Sequence, residues 1–213
     1  MKYAALALLL AAATPACAQD FPYSPLAVEL QSGAFEGAPN LSPPPDYFHS
    51  VKLAGGLELR LDRVTMEGIS KVFGMSQQTY QYVGYTTSWL CFTDGGRRVW
   101  YIADQTYETR EDVYVSQIIA EPADPATDAM FLCKPEPKAM LGKQAALPTI
   151  GATRAELNAF YKADLPPGTR YAFGSANNSD DMTASDHETK TVYYRLKDDV
   201  VDAMSIAAAA ETD

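Results

Sequence analysis

Two stretches of the chain carry regular patterns of hydrophobic and polar residues, and the first stretch begins near residue 57. Leu57, Leu59 and Leu61 alternate with polar residues, as in a half-buried β-strand. Thr65 is suited to cap the start of a short helix, and Gly74 is suited to end it. The apolar positions that share one face of this predicted helix are Met66, Ile69, Val72 and Phe73.

Strand patterns follow this helix as far as residue 120. The segments TTSWLCFT at 86–93 and RRVWYIA at 97–103, joined by the turn DGG at 94–96, predict a β-hairpin. A further strand is predicted from DVYVSQIIA at 112–120. The first stretch therefore predicts a β-α-β-β-β unit.

The same order of patterns recurs 88 positions later. Thr153 falls where Thr65 does, and together with Glu156 it predicts a capping box, which satisfies free backbone amides at a helix start. The apolar positions that match the first helix are Leu157, Phe160 and Tyr161. The strand patterns that follow are TRYAFGS, TVYYRL and VVDAMSIAA, with a polar loop after the first and a turn at 197–199 before the last.

The other segments are rich in Pro and Gly and lack sustained periodicity. They predict an extended arm at 19–50 and a linker at 121–144. The first unit then spans 51–120 and the second spans 145–213. The predicted fold class is α+β, with two tandem helix-on-antiparallel-sheet (β-α-β-β-β) units.

The tandem arrangement resembles a known family. Two such units, each opening its helix with a phrase like IGATRAELNAF at 150–160, are similar to the β-lactamase inhibitory proteins. A single unit is similar to the small lipoproteins of the outer-membrane β-barrel assembly machinery. The resemblance covers the element order over 57–120 and 145–208, and it implies a secreted protein that binds another protein. The cysteine placement departs from the inhibitors, which have a bridge within each unit, and no inhibitor contact residue can be carried over.

The predicted hairpin is apolar on both faces. Nine aromatic residues lie between positions 80 and 114. Alternation along the first strand places Trp89 and Cys91 on one face and Leu90 on the other. One face packs against the helix, and the other must be covered by the arm, by the second unit or by another protein. Because Tyr and Trp dominate binding hot spots, the candidate binding residues are Tyr80, Tyr82, Tyr85, Trp89 and Trp100.

The first eighteen residues predict a cleaved secretory signal peptide. A basic start at Lys2 precedes a short apolar run, and cleavage is predicted after Ala18. Cys17 offers an alternative, lipidation, but the residues before it lack the leucine of lipoprotein sites, which favours cleavage. No segment is long enough to span a membrane. The predicted location is periplasmic or secreted.

Cys91 and Cys133 remain after processing, and an even pair in an oxidising compartment predicts one disulfide bond. Neither cysteine lies in a metal-binding spacing or near a histidine in sequence. The disulfide is expected to fasten the linker at 121–144 onto the first unit.

The charge of the chain narrows the class of partner. The formal net charge is −10, and loss of the single Lys in residues 1–18 makes it −11. Nucleic acid is excluded as a partner because phosphate binding needs a basic patch. The acidity either steers a basic protein partner to this chain or keeps a secreted protein in solution.

The sequence contains no recognisable catalytic or metal-binding motif. His49 lies in the Pro-rich arm and His187 lies in a polar loop, where each is expected to be a solvated side chain. The acidic loop around Asp181 and Glu188 lacks the spacing of a calcium site. We therefore expect no conventional active site, no cofactor and no metal.

Three functional classes remain open at this point. The protein is expected to bind another protein, as an inhibitor or immunity-like factor for a basic enzyme. The alternatives are an envelope assembly or scaffold protein, and a hydrolase that uses carboxylates such as Asp181 and Glu188.

Overall fold

The structure is a computed structural model. It describes residues 24–31, 40–41, 51–52, 58–59, 61, 63–82, 84–94, 96–106, 113–135, 147–177 and 187–211. The predicted signal peptide at 1–18 lies outside these residues.

Four helices lie in the described part of the chain. They are α1 (Pro25–Gln31), α2 (Met66–Phe73), α3 (Pro125–Met130) and α4 (Arg154–Tyr161). None of the helices in the described ranges is long and apolar enough to cross a membrane.

Eleven strands accompany the helices in the described ranges. They are β1 (Asn40–Leu41), β2 (Val51–Lys52), β3 (Glu58–Leu59), β4 (Gln78–Tyr82), β5 (Tyr85–Asp94), β6 (Arg97–Thr106), β7 (Gln117–Pro122), β8 (Lys134–Pro135), β9 (Arg170–Asn177), β10 (His187–Lys197) and β11 (Val200–Glu211).

Nine of these strands form one sheet, in the order β1-β9-β10-β11-β7-β6-β5-β4, with β8 also paired to β5. Strands β9 to β4 in that order are joined by antiparallel pairs, whereas β1 and β8 are short and pair in parallel. The predicted α+β class with an antiparallel sheet is confirmed. Of the strand predicted at 57–61, the described residues Glu58–Leu59 pair with β2, outside the main sheet.

Helices α2 and α4 begin as their capping residues predict. Thr65 accepts a hydrogen bond from the Gly68 amide at 3.0 Å, and α2 ends at Gly74, whose φ of 63° is left-handed. Glu156 Oε2 accepts from the Thr153 amide at 2.7 Å, and Thr153 Oγ1 accepts from the Glu156 amide at 3.2 Å. The predicted capping box is therefore present.

The predicted apolar face of α2 needs one correction. Met66 and Ile69 are fully buried and Phe73 is partly buried, but Val72 is 49% exposed. At 100° per residue, Val72 points roughly 90° away from the centre of the other three side chains. It therefore borders the core.

The two helices and the strands they face enclose the larger hydrophobic core. Helices α2 and α4 contribute Ile69, Leu157 and Tyr161, and the sheet contributes residues such as Leu90 and Phe92. The stacked rings of Tyr161 and Phe173 lie 3.6 Å apart between centroids. The predicted alternation along the hairpin is confirmed, because Trp89 and Cys91 belong to a separate core on the opposite face.

The segments predicted as an arm and a linker contain regular elements. Residues 25–31 of the predicted extended arm form α1, because Ser24 Oγ caps the amides of Leu26 and Ala27 and Pro25 occupies the first helical position. The predicted linker at 121–144 includes the end of β7, α3 and β8.

The predicted disulfide bond between Cys91 and Cys133 is present. It joins β5 to the segment between α3 and β8, as expected for a bridge that fastens the predicted linker onto the sheet. A disulfide bond is typical of a protein from an oxidising compartment, which is compatible with a periplasmic or secreted location.

Candidate protein-binding surface

Two of the five predicted binding residues lie beneath helices. Trp89 is 5% exposed and Trp100 is fully buried, in a core with Leu26 and Ala27 of α1 and with Phe131 after α3. Both indole side chains are therefore inaccessible to a partner, which corrects their assignment as surface anchors. This part of the sheet face is therefore covered by the chain itself, through α1 and Phe131.

The carboxylate of Glu121 holds the start of α1 against this face. Its Oε2 accepts hydrogen bonds from Ser24 Oγ at 2.8 Å and from the Leu26 amide at 3.2 Å. Its Oε1 accepts from Trp100 Nε1 at 2.7 Å and from Arg98 Nε at 3.1 Å. Glu121 and Arg98 are almost completely buried, so these contacts compensate the cost of desolvating both charges.

Ion pairs to the opposite half of the sheet hold the other end of α1. Glu29 Oε1 accepts from Arg195 Nη1 on β10 at 2.9 Å. The same guanidinium forms two hydrogen bonds with Asp202 on β11, at 3.1 and 3.0 Å. Helix α1 is therefore fixed to β7 at its start and to β10 near its end.

Beyond Trp89, the same face of the sheet carries exposed tyrosines. Tyr80 on β4 pairs with Thr87 on β5, and Thr87 pairs with Asp104 on β6, so the three form one row across the sheet. Residues paired across antiparallel strands share a face, and Thr87 shares the face of Trp89 because it lies two positions away. The Tyr80 side chain is 37% exposed.

A second row on this face contains Tyr82 and Tyr85, which are directly paired at the β4–β5 turn. Tyr85 is 56% exposed, and the side chain of Tyr82 lies outside the described part of the structure. Tyr80 and Tyr85 are thus the predicted binding residues that the structure places at an accessible surface. We define the tyrosine patch as Tyr80, Tyr85, Thr87 and Asp104.

Asp104 gives the tyrosine patch a negative charge. Its Oδ1 accepts a hydrogen bond from Thr87 Oγ1 at 2.6 Å. Although the side chain is exposed, desolvation by the surrounding protein raises the pKa of Asp104, and the Thr87 hydroxyl opposes that shift. No Lys or Arg of the described residues forms an ion pair with this carboxylate.

Sequence reasoning did not single out Asp104, Glu121 or Ser24. Asp104 lies two positions after Ile102 and so shares its strand face, which the alternation pattern could have indicated. Ser24 followed by Pro25 is a helix-start signal, which was obscured by the other prolines of the arm. Glu121 has no local signal, because its partners are remote in sequence.

A groove of about 450 Å³ lies on the opposite face of the sheet, beside α2. Its lining residues are Thr65, Glu67, Ser70, Met75, Ser76, Gln77 and Val113. Glu67, the ionisable residue among them, pairs with Lys71 at 2.6 Å, and this contact lowers its pKa. Among the described lining residues, Glu67 is the one acid or base, whereas a hydrolytic site needs two such groups.

The residues considered for catalysis and metal binding are not covered by the described part of the structure. His49 and Asp181 fall outside the described residues, as do the side chains of His187 and Glu188. Across the described ranges, no group of three or more His, Cys, Asp or Glu side chains could hold a metal ion.

The exposed aromatic side chains of the described residues are therefore those of the tyrosine patch, on a sheet face whose region around Trp89 and Trp100 is covered by α1 and the segment around Phe131. Comparison of the chain with protein-family models, curated proteins and solved structures finds no match.

Proposed function

We propose that the mature protein binds another protein through the tyrosine patch, and that the partner presents a basic surface. The observation that carries this proposal is the pair of exposed tyrosines, Tyr80 and Tyr85, beside an exposed carboxylate that lacks a cationic partner among the described residues. Tyrosine contributes a large contact area with few rotatable bonds, which suits it to the centre of an interface.

The composition of the patch favours a Lys or Arg side chain of the partner. Such a side chain can contact the face of a tyrosine ring and form an ion pair with Asp104. The net charge of −10 would also attract a basic protein from a distance. These properties suit an inhibitor or immunity-like factor for a basic secreted or periplasmic enzyme.

The tyrosine patch lies on paired strands, one of which is held by a disulfide bond, and this favours an ordered binding surface. Tyr80 and Thr87 lie on paired strands, and β5 is covalently tied to Cys133 by the disulfide bond. A surface that is already ordered loses less conformational entropy when it binds.

The proposal includes the tandem organisation of the chain. Its support is the matching start of the two halves: the Val115 amide bonds to the Val64 carbonyl at 2.9 Å, and the Val201 amide bonds to the Ala152 carbonyl at 2.8 Å. The capping threonine of each half lies beside this bond: Thr65 forms a bridge to Tyr114, and Thr153 forms a bridge to Val200. Strands β7 and β11 then join the halves in antiparallel register.

The binding proposal is tested by affinity capture from a periplasmic extract, followed by calorimetry with each purified partner. We expect the double variant Tyr80→Ala, Tyr85→Ala to weaken binding by about 2 kcal/mol or more, because tyrosines that become buried in an interface are frequent hot spots. The matched control is Val72→Ala with Leu132→Ala, which truncates two other exposed apolar side chains. Equal affinities for wild type and both variants would reject the tyrosine patch as the binding site.

A further inference from the structure

Strand β4 forms one margin of the main sheet. Its residues Gln78 to Tyr82 pair on one side with Tyr85 to Trp89 of β5. Within the described ranges, no strand pairs with the opposite side of β4. As far as the described residues go, the outward backbone amides and carbonyls of this five-residue strand are available for pairing.

Strand β4 lacks three of the features that prevent an edge strand from pairing with another chain. Natural edge strands use charged side chains, proline or bulges for this purpose. No residue from Val72 to Thr93 is charged, β4 contains no proline, and its pairing with β5 runs without a register shift. The contrast with β8 is direct, because β8 pairs with the same side of β5 and consists of Lys134 and Pro135.

The charge distribution identifies the strand that fits this edge. A basic segment would find no opposite charge on β4 itself. Two copies of this acidic chain would repel each other at a charged surface, but they can approach along β4 without placing like charges together. We infer that the outer edge of β4 pairs antiparallel with β4 of a second copy of this chain.

Antiparallel pairing of a strand with itself generates a two-fold axis and uses the same residues on both copies. With the axis at Tyr80, Gln78 lies opposite Tyr82 of the second copy, and Thr79 lies opposite Gln81. Thr79 and Gln81 are exposed, so the edge can be approached. The dimer joins two main sheets into one and brings two tyrosine patches onto one surface.

This inference does not depend on the proposed function. The contact is small, since it consists of one short strand and its side chains. Stable interfaces bury about 1,200 Å² or more, so we expect a weak dimer with a Kd of the order of micromolar.

Sedimentation velocity of the mature, oxidised protein over roughly 1–300 µM tests the inference. We expect Gln81→Lys and Gln81→Glu each to raise the dimer Kd about three- to five-fold, because each places like charges near the axis. An equal mixture of the two variants should form a heterodimer at least as tight as the wild-type dimer. The matched controls are Ala155→Lys and Ala155→Glu, at an exposed position of α4, and they should dimerise like the wild type.

Hydrogen exchange provides a second readout. Amides within 78–82 should exchange more slowly at concentrations where the dimer is populated. A wild type that stays monomeric over the whole concentration range overturns the inference. So does a dimer whose affinity is unchanged in both Gln81 variants, or two weakened variants that do not rescue each other when mixed.

Discussion

Two acidic residues of this protein have pKa shifts of opposite sign, and each shift has a different cause. Desolvation raises the pKa of Asp104, with the Thr87 hydrogen bond acting against it. The pKa of Glu156 is lowered by the backbone amide of Thr153 and then by its hydroxyl group. Ionised Asp104 therefore opposes folding, whereas ionised Glu156 favours it. A carboxylate that opposes folding and lies on an exposed aromatic surface is the kind of residue expected at a binding site.

The Asp104→Asn variant should raise the melting temperature at pH 7. A folded-state pKa above the ordinary value of 3.8 means that the folded protein holds this proton more tightly, so the group lowers stability once the pH exceeds both pKa values. The gain should vanish below pH 3.8, where aspartic acid is protonated in both states. Thermal denaturation of the wild type and the variant between pH 3 and pH 8 measures this difference in melting temperature.

Glu156→Gln provides the opposite control in the same experiment. Its folded pKa lies below the ordinary value of 4.5, so the stabilisation is present above that value and is lost as the pH falls through the folded pKa. The variant should melt below the wild type at pH 7 and approach it in acid. A constant, pH-independent difference for Asp104→Asn would contradict the assigned cause of its shift.

At the scale of elements, helix α1 decides how much of the aromatic sheet face is accessible. The helix has only seven residues, which is too short for independent stability in water. Its position depends on the Glu121 carboxylate at one end and on the Glu29–Arg195 pair near the other. The closure of the core around Trp100 therefore depends on a few charged groups, of which Glu121 is buried and Glu29 and Arg195 are partly exposed.

Glu121→Gln should destabilise the protein by about 1–3 kcal/mol, because it weakens several buried hydrogen bonds. The substitution removes one of the two carboxylates that pair with the buried Arg98 guanidinium, which retains Asp128 at 2.8 Å. Urea denaturation followed by tryptophan fluorescence measures the loss. Glu67→Gln is the matched control, because it makes the same change in the exposed pair with Lys71 and should leave the midpoint unchanged. Equal midpoints for the two variants would contradict the role given to Glu121.

Elements determined by neighbouring residues could be predicted from the sequence, and elements determined by remote residues could not. The caps at Thr65 and Thr153 act over three positions, and the hairpin turn acts over a similar span. The burial of Trp100 depends instead on Ser24, which meets Glu121 across 97 positions. Tyr80 and Tyr85 could be identified as candidates from the sequence. That these tyrosines are exposed while the tryptophans are buried could not, because the burial depends on such remote contacts.

At the scale of the whole molecule, the dominant property is an excess of acidic residues. The net charge of −10 creates a field that acts before contact, and salt screens that field over roughly 10 Å at 0.1 M. Short-range contacts of the tyrosines are screened much less. The two contributions can therefore be separated by kinetics.

The association rate with a basic partner should fall about ten-fold or more between low and high salt, while the dissociation rate changes little. Stopped-flow fluorescence with a partner obtained by affinity capture measures both rates. The Tyr80→Ala, Tyr85→Ala variant should show the opposite behaviour, with faster dissociation and a similar association rate. An association rate that does not depend on salt would remove long-range attraction from the proposed mechanism.

The position of α1 also has a consequence for the order in which the chain folds. Residues 24–31 precede every strand of the main sheet in sequence, but their partners Glu121 and Arg195 are supplied much later, and the Glu29–Arg195 contact spans 166 positions. Closing so large a loop costs entropy that is recovered only once the sheet exists. Residues 24–31 are thus synthesised before the strands of the main sheet, but they are expected to be among the last to reach their native contacts. Until it does, Trp89 and Trp100 remain open to the chaperones and proteases that the new chain meets.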